Sequence, residues 1–547
     1  MSEKREESSC IDYIEIDYNS NPLCTAQTAI RIFHTTAPHH GEISRFVRNP
    51  KDELFNADHL KTGLKERAVK SAGITVAAQV VQLILQVGSI AILARLLEPS
   101  DFGLIAMVTV FTGLALQLMD GGLSMATIQR DQITHAQVSN LFWVNGAVGA
   151  GLCLLGILIS PLVATLYDEP RLTLIMAAMS VTFLIGGFSV QHDALLRRQM
   201  RFKAISVIDI LSMASGIIAG IAAAFWGLQY WALVITPIVT FLAKTIMRWV
   251  SARWVPSMMS RGSGVRPLLG FGANVTGANF IGYVANNLTP FAVGYVGGAQ
   301  SLGLFNRANA LTSIPSGQML PPVMRVLQPT LARAANDPAQ LRKTITSIMG
   351  KLILGTMFVT LTMAVLADWI VELFLGSNWD GAVPIFQMLA VFSLVEPIAG
   401  FLAASLIATG NAQALLRTKI ITLSILAVSV GTGAIWGAFG VVAASALSGV
   451  FIRLPTFLFY ASKHLPITFG EFLKALIPPS ICAVSTVAIL LGLRQVIHLE
   501  SPVVGLCVFL VLATIVYLAL CVLIKPTRRE LLESISLLKL LVSRKKK

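Results

Sequence analysis

The run VFLVLATIVYLAL, residues 508–520, carries no charge and does not alternate between polar and apolar positions. A continuous apolar stretch of this kind reads as a helix in lipid, not as a half-buried strand. Comparable stretches follow one another from Ile74 almost to the C-terminus, about fourteen of them. A spanning helix needs roughly 20 apolar residues. A closed outer-membrane barrel would instead need segments of ~10 residues that alternate, and runs such as Val441–Ala446 are uniformly apolar.

Composition agrees. Hydrophobic residues make up 55% and charged residues 13% of the chain, against about 45–50% and about 25% for soluble domains. The formal charge of +14 fits loops that follow the positive-inside rule and gives no reason to invoke nucleic acid. The six cysteines, Cys10, Cys24, Cys153, Cys482, Cys507 and Cys521, match no metal-ligand spacing, and four lie in apolar spans. There Cys behaves as a small hydrophobe.

The pattern predicts spans near 72–97, 102–127, 138–166, 172–194, 203–224, 229–250, 267–297, 302–327, 346–375, 382–409, 415–435, 438–460, 472–496 and 502–524. Loops after even-numbered spans hold Arg130, Arg197, Arg198, Arg201, Lys203, Arg253, Arg261, Arg266, Arg333, Arg342, Lys343, Arg417, Lys419 and Lys463. The opposite loops hold only Arg95, Arg171 and Arg494. The asymmetry predicts a bacterial cytoplasmic (inner) membrane protein with both termini in the cytoplasm.

Three short motifs recur in the same order: Phe102-Gly103-Leu104 with Leu302-Gly303-Leu304, Ala194-Leu195-Leu196-Arg197 with Ala414-Leu415-Leu416-Arg417, and Trp226-Gly227 with Trp436-Gly437. Two six-helix lobes related by a parallel repeat follow, an arrangement used by transporters that rock two halves around a midplane site. The expected fold is therefore an all-α polytopic membrane protein of about fourteen transmembrane helices, two lobes plus two C-terminal helices. Its parts are a polar, disordered cytoplasmic extension over 1–63, an N-lobe over 64–262, a C-lobe over 263–465, two spans over 466–525 and a basic cytoplasmic tail over 526–547. Deleting residues 1–60 is expected to leave function intact.

Ionisable groups within spans are costly and mark candidate sites. Lys244 and Arg453 lie 18 and 17 residues after the repeated Trp-Gly pairs, at near-equivalent depths in the two lobes. Two cations facing one cavity would suit a pyrophosphate; the alternative is snorkelling to the interface. Arg307 lies in LGLFNRANAL, where Asn306, Asn309 and Leu302 can share a helix face. That gives a polar stripe for sugar hydroxyls, or a helix-packing cluster. Asn274, Asn279, Asn286 and Asn287 make the seventh span amide-rich, as a cavity wall or for interhelical hydrogen bonds. Asp120, Asp209 and Glu396 are the buried acids. Asp120 and Glu396 are candidates for ion coupling, with an arginine partner as the other role for Glu396, and Asp209 is expected to pair with Arg201 or Lys203. Glu98 and Asp101 fit a loop and helix start. No Ser-His-Asp set, Walker loop, CxxC or HExxH occurs, which counts against a protease or an ATP-driven pump and predicts a non-enzyme.

The pieces LARLLEPSDFGL from Leu93, ATIQRD from Ala126, LLRRQMRF from Leu195, WGLQYWALV from Trp226, GFGANVTGANF from Gly270, LGLFNRANAL from Leu302, RVLQPTLAR from Arg325 and FLGSNWDGAVPIFQMLA from Phe374 resemble, in order and spacing, the Wzx-type polysaccharide flippases. These belong to the superfamily of multidrug, oligosaccharidyl-lipid and polysaccharide exporters. The resemblance covers about Leu64 to Thr468. It implies translocation of undecaprenyl-pyrophosphate-linked oligosaccharide repeat units across the bilayer, for surface polysaccharide or exopolysaccharide assembly. It further implies two lobes around a cationic cavity, alternating access, no cofactor, coupling to a proton or sodium gradient, and a polysaccharide polymerase and chain-length regulator as partners. The chain departs from its relatives at Thr289, where Asp is frequent, and at Tyr295, where Arg is common. Two other classes stay open at this point: a polytopic membrane glycosyltransferase or polysaccharide polymerase, and a drug/cation antiporter. The first needs a catalytic platform on long outer loops, and these loops are expected to be short. The second favours an acidic cavity, whereas the mid-membrane charges lean basic.

Overall fold

A computed structural model describes residue 55 and residues 64–120, 122–130, 132–260, 266–335, 337–497, 499 and 501–543. Every regular element among them is helical. The first half runs through α1 (Leu64–Leu96), α2 (Pro99–Asp120), α3 (Leu123–Gln129), α4 (His135–Leu166), α5 (Leu172–Gly187), α6 (Val190–Arg198), α7 (Phe202–Phe225) and α8 (Trp231–Ala252). The second half runs through α9 (Arg266–Ala334), α10 (Pro338–Val365), α11 (Ala367–Phe374), α12 (Ala382–Phe392), α13 (Val395–Ala408), α14 (Ala412–Gly433), α15 (Gly437–Ser448) and α16 (Leu454–Ser462). Then come α17 (Phe469–Val496), α18 (Pro502–Leu523) and α19 (Lys525–Ser543).

Among the described residues ten helices are long and apolar enough to cross a membrane, or eleven with α5 and α6, bent by 42°, taken as one span. Their outer faces are apolar. Leu154, Leu158 and Leu162 of α4, spaced by four, are 60%, 67% and 68% exposed, a stripe no water-facing helix would carry. The protein is a multi-pass membrane protein.

Local chemistry sets the helix ends. Thr134 and Gln137 form a reciprocal capping box at α4, as do Thr468 and Glu471 at α17. The Asp337 side chain accepts from the amides of Ala339 and Gln340 at the start of α10. Each satisfies amides that a helix start leaves unpaired. At the other end of the spans, Gly227 and Gly437 both take left-handed φ values, 77° and 74°, directly after the repeated tryptophans. Gly298 does the same at 68° and breaks α9 in two.

Several boundaries differ from the sequence pattern. The span expected over 346–375 is α10, which starts at Pro338 and stops at Val365, followed by the separate short helix α11 and a turn at Ser377–Trp379. Hydropathy alone could not see this stop, because Leu366–Leu375 is itself largely apolar. The expected span 382–409 is interrupted between Phe392 and Val395. The basic tail expected over 526–547 is helical over Lys525–Ser543. The extension over 1–63 lies outside the described residues except for Phe55, which is buried against α4 and α6. Its carbonyl accepts a hydrogen bond from Arg198 at 3.0 Å. A deletion that is to leave this packing intact must therefore stop short of residue 55.

The core is unequal along the membrane normal. One large apolar cluster gathers residues of both halves, from Leu93, Leu104 and Met176 to Leu302, Phe386 and Val441. All lie near the connections at 97–98, 167–171, 226–230, 298, 366–381 and 434–436. At the opposite end the apolar cores are separate. One joins Phe55, Leu141, Leu195 and Trp254 of the first half, and another joins Ile345, Phe401, Phe457 and Tyr517 of the second.

Candidate functional site

At the end where the halves share a core, α2 crosses the second part of α9 with no side chain between the backbones. A Cβ on Gly103 would stand 1.7 Å from the Ala299 carbonyl oxygen, and one on Gly303 would stand 1.8 Å from the Pro99 carbonyl oxygen. Each glycine meets the residue four positions before the other. The Phe102-Gly103-Leu104 and Leu302-Gly303-Leu304 repeat is therefore a quasi-symmetric contact, the small-residue crossing that lets helices in lipid approach closely.

Trp379 locks this crossing from the side. It is fully buried, its indole Nε1–H donates to the Ala94 carbonyl at 2.9 Å, and its ring meets Phe102 edge-on at 5.4 Å. On the same Phe102 ring lies the Arg307 guanidinium, 4.7 Å from the centroid. Arg95 donates across the halves to the Leu373 carbonyl at 2.9 Å. Deeper in the bundle Phe111, Tyr167 and Phe291 form an aromatic triad spanning both halves, and the Tyr283 hydroxyl donates to the carbonyls of Thr109 and Val110. We call this region the seal.

Arg307 thus sits between the halves. Its Nη2 donates to Asn306 Oδ1 at 2.7 Å, its Nε is buried without a partner, and it forms no ion pair among the described residues. The polar stripe expected around it is split: Leu302 is buried and Asn309 is exposed. Asn287 donates to the Tyr283 carbonyl one turn back at 2.9 Å, a local bond, while Asn286 is exposed. The side chains of Asn274, Asn279 and Arg325 lie outside the described residues.

Below the seal the two halves differ. Lys244 is not a free cation. Its Nζ lies 2.7 Å from Asp209 Oδ1, because Asp209 on α7 faces α8 and not its own helix start, where Arg201 and Lys203 lie. Asp193 holds Arg197 at 2.7 Å and Arg248 at 2.8 Å nearby. A chain of buried amides runs beside them. Thr127 donates to Gln191, Gln191 to Asn145, and Asn145 to the Met119 carbonyl. These bonds satisfy backbone freed by the break between α2 and α3. Asp120 belongs to that break: it accepts from the Ser124 amide at 3.1 Å and the Ser124 hydroxyl at 2.7 Å. It acts there as a cap on the start of α3. Arg198 is buried against the carbonyls of Phe55, Thr127 and Arg130, holding the end of α3.

Arg453 has kept its charge free. It ends a π-helical segment, Gly449–Arg453, a rare geometry that often marks functional sites. Its Nη2 donates to the Ser445 carbonyl at 2.7 Å, its guanidinium lies 5.1 Å from the Phe392 ring centroid, and its Nε is buried without a partner. Among the described residues it forms no ion pair. Phe392 is the last residue of α12, so the π segment faces the break in the neighbouring span. A Cβ on Gly449 would stand 1.9 Å from the Phe392 ring and would displace it. Glu396, expected to be buried, is exposed in the first turn after that break.

From Phe392 and Val450 a cavity of about 550 Å³ runs between α10, α12, α15 and α17 to Arg494. Its lining is almost wholly apolar, so it suits a hydrocarbon chain and not a sugar. Arg494 is itself satisfied by the Val365 carbonyl and by Asp368, over the Trp369 ring.

Residues 92–384 match the family described as polysaccharide biosynthesis protein, more than half of the chain. The chain belongs to the polysaccharide biosynthesis protein family. The match covers the seal from Leu93 to Trp379, whereas Glu396, Arg453 and much of the apolar cavity lie beyond the matched residues. Among curated relatives, the lipopolysaccharide biosynthesis protein WzxC of Escherichia coli (strain K12) is 26% identical over 69% of this chain and 77% of its own length. The teichuronic acid biosynthesis protein TuaB of Bacillus subtilis (strain 168) is 26% identical over 60% and 69%. Among solved structures, the lipid II flippase MurJ in an inward closed conformation superposes with a TM-score of 0.64 at 13% identity, covering 83% of this chain and 98% of that one. This member of the polysaccharide biosynthesis protein family thus shares the all-α polytopic fold of that structure. Trp379 is the residue that sequence reasoning passed over. It was visible only as part of the stretch FLGSNWDG, where a lone tryptophan beside glycines in a connection is the signal.

Proposed function

We propose that the protein is a flippase for lipid-linked oligosaccharides. It carries undecaprenyl-pyrophosphate-linked repeat units from the cytoplasmic to the periplasmic leaflet for surface polysaccharide or exopolysaccharide assembly, where a polymerase and a chain-length regulator receive them. The observation that carries this reading is the unequal core. One shared apolar core joins the halves at the seal, while each half keeps its own core at the other end. Such halves can separate at one end without unfolding, which alternating access requires. The relatives named for lipopolysaccharide and teichuronic acid biosynthesis support a polysaccharide precursor as the substrate class.

The described basic residues Arg130, Arg197, Arg253, Arg342, Arg417 and Lys463 lie at the end away from the seal. By the positive-inside rule that end faces the cytoplasm of the inner membrane, with both termini, and the seal faces the periplasm. Taking α9 as two crossings joined at Gly298 and Ala412–Ser462 as two joined at Gly437, beside the ten other spans with α5 and α6 as one, makes fourteen crossings. Arg453 is the cation best suited to the pyrophosphate, through charge-assisted hydrogen bonds from a π segment beside a broken helix. Glu396, across the same break, is the remaining candidate for coupling to a proton or sodium gradient.

The test is lipid-linked oligosaccharide orientation in vesicles of purified protein. Lectin accessibility of the glycan on the far leaflet, with its length unchanged, is expected. Glycan elongation would establish an enzyme, and no change in either would remove the flippase reading.

A further inference from the structure

The C-terminal helix α19 divides its charges by face. Lys525, Arg528, Arg529, Leu532 and Ser536 are exposed, whereas Thr527 is buried and Glu530, Leu531, Glu533 and Ser534 are half-buried. At 100° per residue these sets fall on opposite sides of one helix. The inward acids meet a single lysine of α10. Lys351 Nζ lies 2.9 Å from Glu533 and 3.2 Å from Glu530, and a third bond, 2.5 Å long, goes to the Ser347 hydroxyl. Lys351 and then Arg529 hold the Glu533 carboxyl below its usual range. The Glu530 carboxylate packs on Gly350, where a Cβ would stand 3.0 Å away. Thr527 closes the turn from α18 by donating to the Cys521 and Ile524 carbonyls, and Tyr517 ties α18 to the Leu354 carbonyl at 2.7 Å.

Height fixes where this helix lies. The ion pair of Arg342 with Glu471 is nine residues, about 13 Å, nearer the start of α10 than Lys351. So α10 and α17 continue past the point where α18 ends at Leu523 and α19 turns aside. α19 therefore starts at the level where the last span leaves the bilayer. With Glu530 turned to Lys351, and Glu533 shared between Lys351 and Arg529 at 3.2 Å, the face left exposed there is cationic through Lys525, Arg528 and the 80% exposed Arg529, and the sequence beyond it adds Arg544, Lys545, Lys546 and Lys547.

We propose that the exposed face of α19, through Lys525, Arg528 and Arg529, docks on anionic phospholipid headgroups of the leaflet into which α18 emerges. The occupant follows from charge complementarity at headgroup height: three cations and one leucine suit a phosphate layer over acyl chains. The leaflet is the cytoplasmic one, which rests on the topology proposed above; lipid binding itself does not depend on transport. The helix is thereby a strap. Lipid holds one face, and Lys351 transmits that hold to α10.

The experiment uses the full chain purified from vesicles of equal phosphatidylglycerol and phosphatidylcholine, with retained lipid counted by mass spectrometry after detergent washing. Wild type should retain phosphatidylglycerol preferentially. Lys525→Gln with Arg528→Gln, which spares the Arg529–Glu533 pair, should lower that preference by roughly fivefold per cation at low salt. It should fade as ionic strength rises. Lys463→Gln, an exposed cation at the same end, should change nothing. Equal retention in wild type and the double variant, both eluting as folded protein, overturns the proposal. So does a double variant that keeps its lipid but loses a co-purifying acidic protein. Transport failure with lipid preference intact would strike the flippase reading and leave this one standing.

Discussion

Gly103 and Gly303 occupy matching places in the two halves and still behave as a matched pair: each backbone rests on the other's helix. Lys244 and Arg453 also occupy matching places, and there the match has gone. Lys244 is neutralised by Asp209 at 2.7 Å, whereas Arg453 touches a carbonyl and a ring and no carboxylate among the described residues. The contrast separates what a two-lobed fold must keep from what it can vary. The crossing is a shared contact, so a change on either side disturbs both halves. The charged level belongs to each lobe alone, and one lobe has turned its cation into structure.

The largest expected effect lies at the seal. Trp379→Ala removes a fully buried indole and its bond to Ala94, a loss of about 3–5 kcal/mol for comparable core truncations. Favouring the separated state by that much shifts the population. Thiol labelling of Leu304→Cys in a cysteine-free background should rise from near zero to a half or more. Unchanged labelling would show that Trp379 is not a lock.

Arg453→Gln should reduce flipping by roughly 10- to 100-fold, the worth of charge-assisted hydrogen bonds to an anion, with melting temperature nearly constant. Wild-type flipping in this variant would take the pyrophosphate away from Arg453.

Gly103→Ala and Gly303→Ala should each cost about 1–3 kcal/mol by overpacking, and the two should agree closely, since the contact is quasi-symmetric. A large effect from one and none from the other would break the symmetry argument. Lys244→Gln should lower melting modestly, by about 1–2 kcal/mol, because both partners are about a quarter exposed. Adding Asp209→Asn should restore most of that loss by removing the unpaired carboxylate. No such partner should rescue Arg453→Gln. Trp379→Phe, which keeps the ring and deletes only the N–H, should cost about 1 kcal/mol.

Much of the architecture could be read from composition and pattern. Lipid as solvent forces helices, since every backbone group must be satisfied within its own segment. That is why apolar runs located the spans, and why the repeated motifs identified glycines that turned out to touch. What spacing left open has a common cause. Lys244, Asp120 and Glu396 were singled out because a charge inside an apolar run is costly. Yet cost indicates only that a partner or an exposed position is needed, and sequence spacing does not name the partner. Asp209 reached Lys244 from a different helix, Ser124 satisfied Asp120 from across a helix break, and Glu396 escaped burial because α12 ends at Phe392.

The sequence by itself determined the solvent, the helical class, the repeat and the family, since these depend on local hydropathy and on motifs that are short in sequence. Only the tertiary structure decided which glycines meet, which cation is left without a counter-charge, that Trp379 closes one end, and that α19 turns its acids inward. Those are distances between segments up to some 300 residues apart. Close packing of helices in three dimensions, not any periodicity along the chain, sets them.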